Sequence, residues 1–321
     1  MNYLTHKLPW AVLITALAVG QASAEITTVT IGGLDHNRVF RPFYEPGMPG
    51  NDYYDNIRGL LTDTANFSLN PLDTPKVIGE VEFKAPTGLI DDMYLSDVEI
   101  FVMTENKSLM LLPGELTAIQ NFVANEGWLV LISDTLHASM GPGLDGSTVQ
   151  NEILKALTGL AVDPITDNDT VGMPGLSGAQ SSTAGIPTNV MDSVVLYGAF
   201  GDFTAADDFG ATFHNVLADL SPMTQMIGTK SGLGILMEIL PESEQNSHSG
   251  AVLVAGDVLF SDYFVLPGSV GLGNNTNGKM FLNFVGNYFA IVPEPSGSVL
   301  AVIGAIVMAA GREWHRRRRT R

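Results

Sequence analysis

The stretch that decides the fold class is Val98-Glu99-Ile100-Phe101-Val102-Met103, then Leu112-Pro113-Gly114-Glu115-Leu116, then Asn125-Glu126-Gly127-Trp128-Leu129-Val130-Leu131-Ile132. Pro113 suits the first position of a helix, Glu115 suits its first turn, and Gly127 suits its end. The nearly continuous apolar run 128–132 is typical of a strand that is covered on both faces. A strand, a helix and a strand at this spacing predict a βαβ unit.

The same reading extends outward along the chain. The segment 161–190 is rich in Gly, Pro, Ser, Thr and Asp, which predicts a loop-rich insertion. The remaining apolar patterns predict strands at 26–31, 77–83, 194–197, 234–240 and 251–255, and helices at 51–64, 149–160 and 279–290. These elements predict one three-layer α/β domain with a mostly parallel sheet over residues 25–291.

Composition narrows the possible functions. The formal net charge is −18, but residues 25–310 carry nine basic and 33 acidic residues and therefore sit near −24. A surface with this much negative charge repels phosphate backbones, which argues against nucleic acid as a partner. Such a surface is typical of a solvated face that keeps a protein soluble. The absence of cysteine excludes disulfides, zinc–thiolate sites and thiol nucleophiles.

The first 24 residues have the pattern of a secretory signal peptide. Lys7 supplies a positive charge near the start of the chain, and residues 8–19 form an apolar stretch. This stretch is too short to span a membrane. Ala22 and Ala24 form a small-x-small cleavage site, so Glu25 is expected to begin the mature chain. This predicts export through the Sec machinery.

The last 30 residues, 292–321, have three parts in a fixed order. Pro293-Glu294-Pro295 is followed by a short apolar helix predicted at 298–311 and by a basic tail, 312–321, with four consecutive arginines: Arg316, Arg317, Arg318 and Arg319. The apolar stretch is at most a marginal transmembrane helix, and the arginines are expected to stay on the cytoplasmic side. The segment therefore predicts a transient arrest in the membrane during export.

This C-terminal segment resembles the PEP-CTERM sorting signal. The resemblance rests on Pro293, Glu294 and Pro295, the apolar helix and the arginine end. It implies recognition by an exosortase in a Gram-negative host with exopolysaccharide-linked envelope sorting. The expected localisation is the inner membrane transiently, then the cell envelope, outer surface or extracellular matrix.

The middle of the chain resembles the class I glutamine-amidotransferase-like, flavodoxin-like superfamily, in its non-catalytic branch. The residues that carry this resemblance are the βαβ stretch above and Val252-Leu253-Val254-Ala255-Gly256-Asp257, with the closing helix around 281–285. Catalytic members place a cysteine in the turn after a strand such as 128–132. Here Ser133-Asp134-Thr135 occupies that turn, and glutamine hydrolysis through a thiolate is excluded because the chain has no cysteine.

Other sites remain as alternatives. Ser133, Asp134 and His137 are the nearest substitute for a hydrolase centre, although the chain has no Gly-x-Ser-x-Gly motif. Because ligands of open α/β sheets bind beyond the carboxyl ends of strands, Asp35, His36 and Asp257 are candidate ligand-binding residues, in a polar cleft if their loops converge with the loop at Ser133. Asp257 has the alternative role of capping a turn.

A calcium site is a further candidate. Asp167 and Asp169 begin a loop that resembles the start of a calcium-binding loop, but Gly178 stands where an EF-hand needs a glutamate. There is no His-Glu-x-x-His motif for zinc. No confident metal ligand or cofactor is therefore predicted, and calcium stays the one alternative.

Three functions follow from these observations. The first is a non-enzymatic envelope or matrix protein whose α/β domain binds a glycan or a surface protein. The second is a hydrolase of envelope material that uses Ser133, Asp134 and His137. The third is a calcium-dependent matrix component.

Overall fold

The computed structural model describes most of the central chain: residues 27–46, 53–70, 72–107, 110–133, 147–167, 182–211, 215–218, 222–240, 250–256, 259–262, 264–265 and 276–291. The chain divides into two compact units, Thr27–Tyr288 on the one hand and the two ends, Met1–Ile26 with Phe289–Arg321, on the other. The predicted signal peptide and sorting segment, including the residues Ala22, Ala24, Pro293–Pro295 and Arg316–Arg319, lie outside the described residues.

The unit Thr27–Tyr288 is built on one large mixed sheet. The strands of this unit are β1 (Thr28–Gly33), β2 (Phe67–Ser68), β3 (Val77–Ile78), β4 (Glu80–Phe83), β5 (Ile100–Met103), β6 (Trp128–Ile132), β7 (Ile165–Asp167), β8 (Ser182–Gly185), β9 (Asp208–Ala211), β10 (Asn215–Leu217), β11 (Thr224–Lys230), β12 (Leu233–Ile239) and β13 (Val252–Ala255). Strands β2 and β3 form a separate two-stranded sheet. Within the described residues, eleven strands join the large sheet in the order β4-β1-β5-β6-β13-β12-β11-β8-β9, with β10 beside β12 and β7 beside β10.

The sheet has a parallel half and an antiparallel half. Strands β4, β1, β5, β6 and β13 are parallel neighbours, with Ile100 opposite Trp128 and Leu129 opposite Val252. From β12 onward every described pairing is antiparallel. The parallel sheet predicted from the βαβ pattern is therefore correct for the half that holds that unit, while the antiparallel half was not predicted.

Helices cover both faces of the parallel half. The helices are α1 (Asp55–Leu61), α2 (Asp92–Leu95), α3 (Glu115–Ala124), α4 (Thr148–Thr158) and α5 (Thr276–Ile291). On one face, buried side chains of α2, α3 and α4 such as Leu95, Ile119 and Ile153 share one apolar cluster with Leu129 and Val254 of the sheet. Burial of each such side chain contributes about 2 kcal/mol.

On the opposite face, aromatic rings join α5 and α1 to the sheet. The ring of Trp128 lies 4.8 Å from Phe284 and 5.2 Å from Tyr288 of α5. Phe43 bridges to Phe281 of α5 at 5.7 Å and to Tyr54, just before α1, at 5.5 Å. The parallel strands are thus sandwiched between helices, as a continuous apolar run such as that of β6 requires.

Residues 194–197, predicted as a strand, form a turn instead. The apolar pattern was misleading because the backbone groups there bond to side chains: Asn283 Nδ2 donates to the Val195 carbonyl at 3.2 Å, Asn287 Nδ2 donates to the Val194 carbonyl at 2.8 Å, and Ser193 Oγ accepts from the Val195 N–H at 3.2 Å. Strands β7 and β8 fall within the predicted insertion 161–190, of which residues 168–181 lie outside the described part.

None of the helices that the structure describes combines the length and the apolar character that crossing a bilayer requires.

Candidate ligand site at the carboxyl edge of the parallel strands

Ser133 stands directly after β6, at the carboxyl end of that strand. Its side chain is fully buried. Its Oγ donates to the Ala255 carbonyl at 3.2 Å, and its backbone N–H donates to the same carbonyl at 2.9 Å. The hydroxyl therefore ties β6 to β13, and its proton is directed at a backbone oxygen.

Asp35 and His36, predicted at the end of β1, lie at this edge and are engaged locally. Asp35 Oδ1 accepts from the N–H groups of Asn37 and Arg38 at 3.0 and 3.2 Å, so the aspartate caps its own turn. His36 Nδ1 lies 2.6 Å from Glu45 Oε1, and the backbone N–H of His36 donates to Glu45 Oε2 at 2.8 Å. Among the described contacts, none joins this turn to Ser133.

Several predicted residues lie outside the described part of the chain: Asp134, His137, Asp169 and Asp257. Asp167 ends β7, and its backbone is opposite Asn215 of β10. Over the described residues, no group of three or more His, Asp or Glu side chains is arranged to hold a metal ion.

Gln150 of α4 reaches the ends of two parallel strands. Its Nε2 donates to the carbonyls of Thr104, after β5, and Ile132, at the end of β6, at 3.5 and 3.4 Å. The side chain is fully buried, and its Oε1 has no hydrogen-bond partner within the described residues. A buried carboxamide oxygen without a partner costs free energy, on the order of 1–3 kcal/mol, unless a ligand or water satisfies it.

Asn215 lies beside the end of β13. Its N–H donates to the Gly256 carbonyl at 2.9 Å. The glycine permits this approach, because a Cβ at Gly256 would lie 2.6 Å from the Asn215 carbonyl oxygen. The Asn215 side chain is fully buried, and neither Oδ1 nor Nδ2 has a partner in the part of the chain that the structure describes.

Ser261 adds a third neutral group in the turn that follows β13. It is fully buried, its carbonyl accepts from the N–H groups of Phe264 and Val265, and its Oγ has no partner among the described side chains and backbone. We call Gln150, Asn215 and Ser261 the open polar set. Its members offer hydrogen-bond donors and acceptors without charge, which suits a neutral polar ligand.

The charged residues nearby are already paired. Glu115 is buried and accepts from Arg38 Nη1 at 2.7 Å and from Arg38 Nη2 at 2.9 Å, and also from the N–H groups of Ile90 and Leu112. Burial acts to raise the pKa of Glu115, but the guanidinium and the two N–H groups outweigh it and hold that pKa below its usual value. The same carboxylate raises the pKa of Arg38, mainly through its hydrogen bond, against the effect of burial.

A second pair lies directly after β5. Arg41 Nη1 donates to Glu105 Oε1 at 3.0 Å, and the Arg41 guanidinium lies 4.1 Å above the ring of Tyr53. Thr104 Oγ1 donates to the Arg41 carbonyl at 2.8 Å. These contacts fix residues 38–41 against residues 104–107 and close one side of the carboxyl edge.

The open polar set was not found from the sequence, although one of its members had a signal. Gln150 stands at helical spacing with Ile153, Leu154 and Leu157, which places it on the buried face of α4. Asn215 and Ser261 had no such signal, because a short strand and a turn carry no periodicity that predicts burial.

Comparison with known proteins gives structural neighbours only. No family model matches the chain, and no curated protein matches it. The solved structures that match include the N-terminal domain of mmIFT52, with 11% identity over 84% of this chain and 99% of that one at a TM-score of 0.48. A putative GMP synthase component from Thermoplasma acidophilum matches with 9% identity over 82% and 94% at 0.41. A putative ThuA-like protein from Bacteroides uniformis matches with 11% over 84% and 93% at 0.42.

The structural neighbours of the chain thus include proteins with the glutamine-amidotransferase-like fold. At this level of similarity they assign no activity to the chain.

Proposed function

We propose that this chain is an exported envelope or extracellular-matrix protein whose α/β domain belongs to the non-catalytic branch of the amidotransferase-like fold and binds a neutral polar ligand, a glycan, at the carboxyl edge of its parallel strands. The observation that carries the proposal is the open polar set: buried side-chain atoms of Gln150, Asn215 and Ser261 that have no partner within the described residues. Carboxyl edges of parallel strands are where open α/β sheets bind ligands.

A binding role is favoured over hydrolysis by the environment of Ser133. A serine nucleophile needs an accessible Oγ and a base that takes its proton. Here the Oγ is buried and donates to the Ala255 carbonyl, which is not a base. No observation favours the calcium-dependent alternative.

The class of ligand follows from the chemistry of the open atoms. Asn215 offers one donor group and one acceptor, Gln150 offers an acceptor, and Ser261 offers a hydroxyl. Sugar hydroxyls both donate and accept, so they complement this set, whereas the net charge near −24 between residues 25 and 310 disfavours anionic ligands.

Export and sorting are supported by the two ends of the sequence. The signal-like residues 1–24, with Ala22 and Ala24, supply the Sec signal, and the PEP-CTERM-like residues 292–321 supply the exosortase signal. Purified mature protein is expected to begin at Glu25. Replacing Pro293, Glu294 and Pro295 by alanine is expected to retain the protein in the inner membrane; unchanged delivery to the cell surface would contradict the sorting proposal.

Binding is tested by titrating the purified chain with uncharged glucose, galactose and N-acetylglucosamine, and with glucuronic acid as an anionic comparison. We expect saturable binding of at least one neutral sugar and none of the acid. Asn215→Leu should abolish that binding, because it removes both open amide atoms while keeping the branched shape of the side chain. Asn189→Leu, at an exposed position, is the matched control and should bind as the parent does.

Failure of every neutral sugar to bind, or equal binding by the parent and Asn215→Leu, would contradict the proposed site. Labelling of Ser133 by a serine-reactive phosphonate would contradict the non-catalytic proposal, and Ser133→Ala identifies the labelled residue.

A further inference from the structure

Glu238 is a fully buried carboxyl group within a strand of the antiparallel half. It lies in β12 between Met237 and Ile239, whose side chains enter the apolar cluster on one face, so Glu238 points to the opposite face. Its Oε1 accepts from Gln225 Nε2 of β11 at 2.9 Å, and Gln225 is its cross-strand neighbour.

The same glutamine holds a segment that lies on this face, residues 190–201, which we call the covering segment. Gln225 Oε1 accepts from the Met191 N–H at 3.3 Å, and Gln225 Nε2 donates to the Met191 carbonyl at 2.9 Å. The Ser193 hydroxyl and the N–H groups of Val194 and Val195 act on the pKa of Glu238, but Glu238 Oε2 has no hydrogen-bond partner within the described residues. Gln225 therefore anchors the covering segment to the sheet, and Glu238 contacts that segment through its hydrogen bond with Gln225.

Helix α5 holds the other side of the covering segment. Asn283 donates to the carbonyls of Val195 and Gly201 and accepts from the Phe200 N–H, at 3.2, 2.8 and 2.9 Å. Within the covering segment, Asp192 has φ of 55°, a left-handed conformation that a non-glycine residue keeps only when its surroundings hold it. The covering segment is thus kept in place by side-chain bonds and not by a strand ladder.

No cation faces the Glu238 carboxyl group among the described residues. The charged and titratable residues on the elements around it are Lys230 of β11, Asp192 and Tyr197 of the covering segment, and Lys279 and Tyr288 of α5. Lys230 Nζ donates to the Ala211 carbonyl, Tyr197 donates to the Val190 carbonyl, and Tyr288 packs on Trp128. The causes that shift the pKa of Glu238 are burial and hydrogen bonds from neutral groups, and none of them is a charge on these five residues.

Burial is therefore the main influence on Glu238. It raises the pKa of this carboxyl group to about 7, while the Ser193 hydroxyl, the Gln225 amide and the N–H groups of Val194 and Val195 act in the opposite direction. An exposed glutamate has a pKa of about 4.3. The contribution of the protonated carboxyl group to the free energy of unfolding is fully present below about pH 4. It decreases as the pH rises and is lost above about pH 7.

We propose that Glu238 is a pH-sensitive latch: its protonated side chain, through Gln225, keeps the covering segment packed on β12, and its ionisation loosens that segment. The physical reason is that an ionised carboxylate, fully buried and without a cation, is stabilised by any opening that admits water. Unlike Glu115, which is held ionised by Arg38, Glu238 changes its charge near neutral pH. This device is independent of the proposed glycan site.

The test is hydrogen exchange of the backbone amides in the covering segment of the purified chain, followed by mass spectrometry and corrected for intrinsic exchange rates. Between about pH 5 and about pH 8 we expect protection to fall by up to roughly a hundredfold and then to level off. In Glu238→Gln, which cannot ionise, protection should be nearly constant over that range. Glu80→Gln, at an exposed position, is the matched control and should keep the parent's pH dependence in this segment.

The same pH profile in the parent and Glu238→Gln would overturn the proposal. If the variant fails to fold, infrared difference spectroscopy of the parent decides instead. A buried protonated carboxyl band that disappears near neutral pH, together with the loss of protection, is the expected result. Loss of protection without such a band would overturn the latch.

Discussion

Helix α5 and the carboxyl edge of the parallel strands both bury carboxamides, but only at the carboxyl edge do carboxamide atoms, Gln150 Oε1 and both of those of Asn215, lack partners within the described residues. On α5, Asn277 bonds both backbone groups of Gly210 and the Leu259 carbonyl, and Asn283 bonds three backbone groups of the covering segment. At the carboxyl edge, the side chain of Asn215 makes no hydrogen bond to any of the described residues. The difference separates polar groups that hold the fold together from polar groups without a partner in the described part of the chain, which we propose bind a ligand.

The largest effect is expected where the partnered group is charged. Arg38→Met leaves the buried Glu115 carboxylate without its cation and should lower the free energy of unfolding by about 4 kcal/mol. The lowered pKa of Glu115 means that the pair's contribution is complete above about pH 4 and is lost as the pH falls through the folded-state pKa. Urea denaturation at several pH values measures both.

Lys155→Met is the control for that variant. Lys155 pairs with Asp163 at 2.6 Å, and both side chains are partly exposed to solvent, so the loss of this pair should cost less than about 1 kcal/mol. If Arg38→Met and Lys155→Met lower the free energy of unfolding by the same amount, burial does not make the Arg38–Glu115 pair more stabilising than the Lys155–Asp163 pair.

A smaller loss is expected on α5. Asn283→Leu leaves the Phe200 N–H and the carbonyls of Val195 and Gly201 without their partner and should cost about 3 kcal/mol. Thermal unfolding followed by circular dichroism measures it. A neutral result would mean that these bonds do not hold the covering segment.

Glu238→Gln should have a smaller effect than Arg38→Met and Asn283→Leu, with a size that depends on pH. Near pH 8 the variant should be more stable than the parent by about 2 kcal/mol, because the parent then buries an ionised group whose pKa is raised to about 7. Near pH 4 the two should unfold at similar denaturant concentrations. A gain that is the same at both pH values would contradict the linkage.

The parallel half of the fold was predictable because its strands and helices have clear patterns in their own stretches of sequence. The apolar run of β6 was predicted with the bounds that the structure has, and Glu115 and Gly127 bracketed α3 as expected. The antiparallel half was not, because β11 has the sequence Thr-Gln-Met-Ile-Gly-Thr-Lys, without a regular pattern, and gains its order from β12. Residues 194–197 had an apolar pattern but bond to α5 side chains, which the pattern does not reveal.

The edge at which we propose the site follows from a rule that needs only the sequence, but the residues of the proposed site do not. The carboxyl-edge rule nominated Ser133 and Asp35, and the structure places both at the carboxyl edge of the parallel strands. The structure then engages both locally, Ser133 with Ala255 and Asp35 with its own turn. Asn215 comes from another part of the chain, and only the tertiary contact with Gly256 brings it there.

The most direct test compares Asn215→Leu with Asn283→Leu in one urea denaturation series without ligand. If the carboxyl edge is held open for a ligand, Asn215→Leu should leave the free energy of unfolding unchanged or raise it by up to about 1 kcal/mol, while Asn283→Leu lowers it by about 3 kcal/mol. Equal destabilisation by the two substitutions would show that Asn215 is an ordinary structural amide, and the proposed site would be wrong.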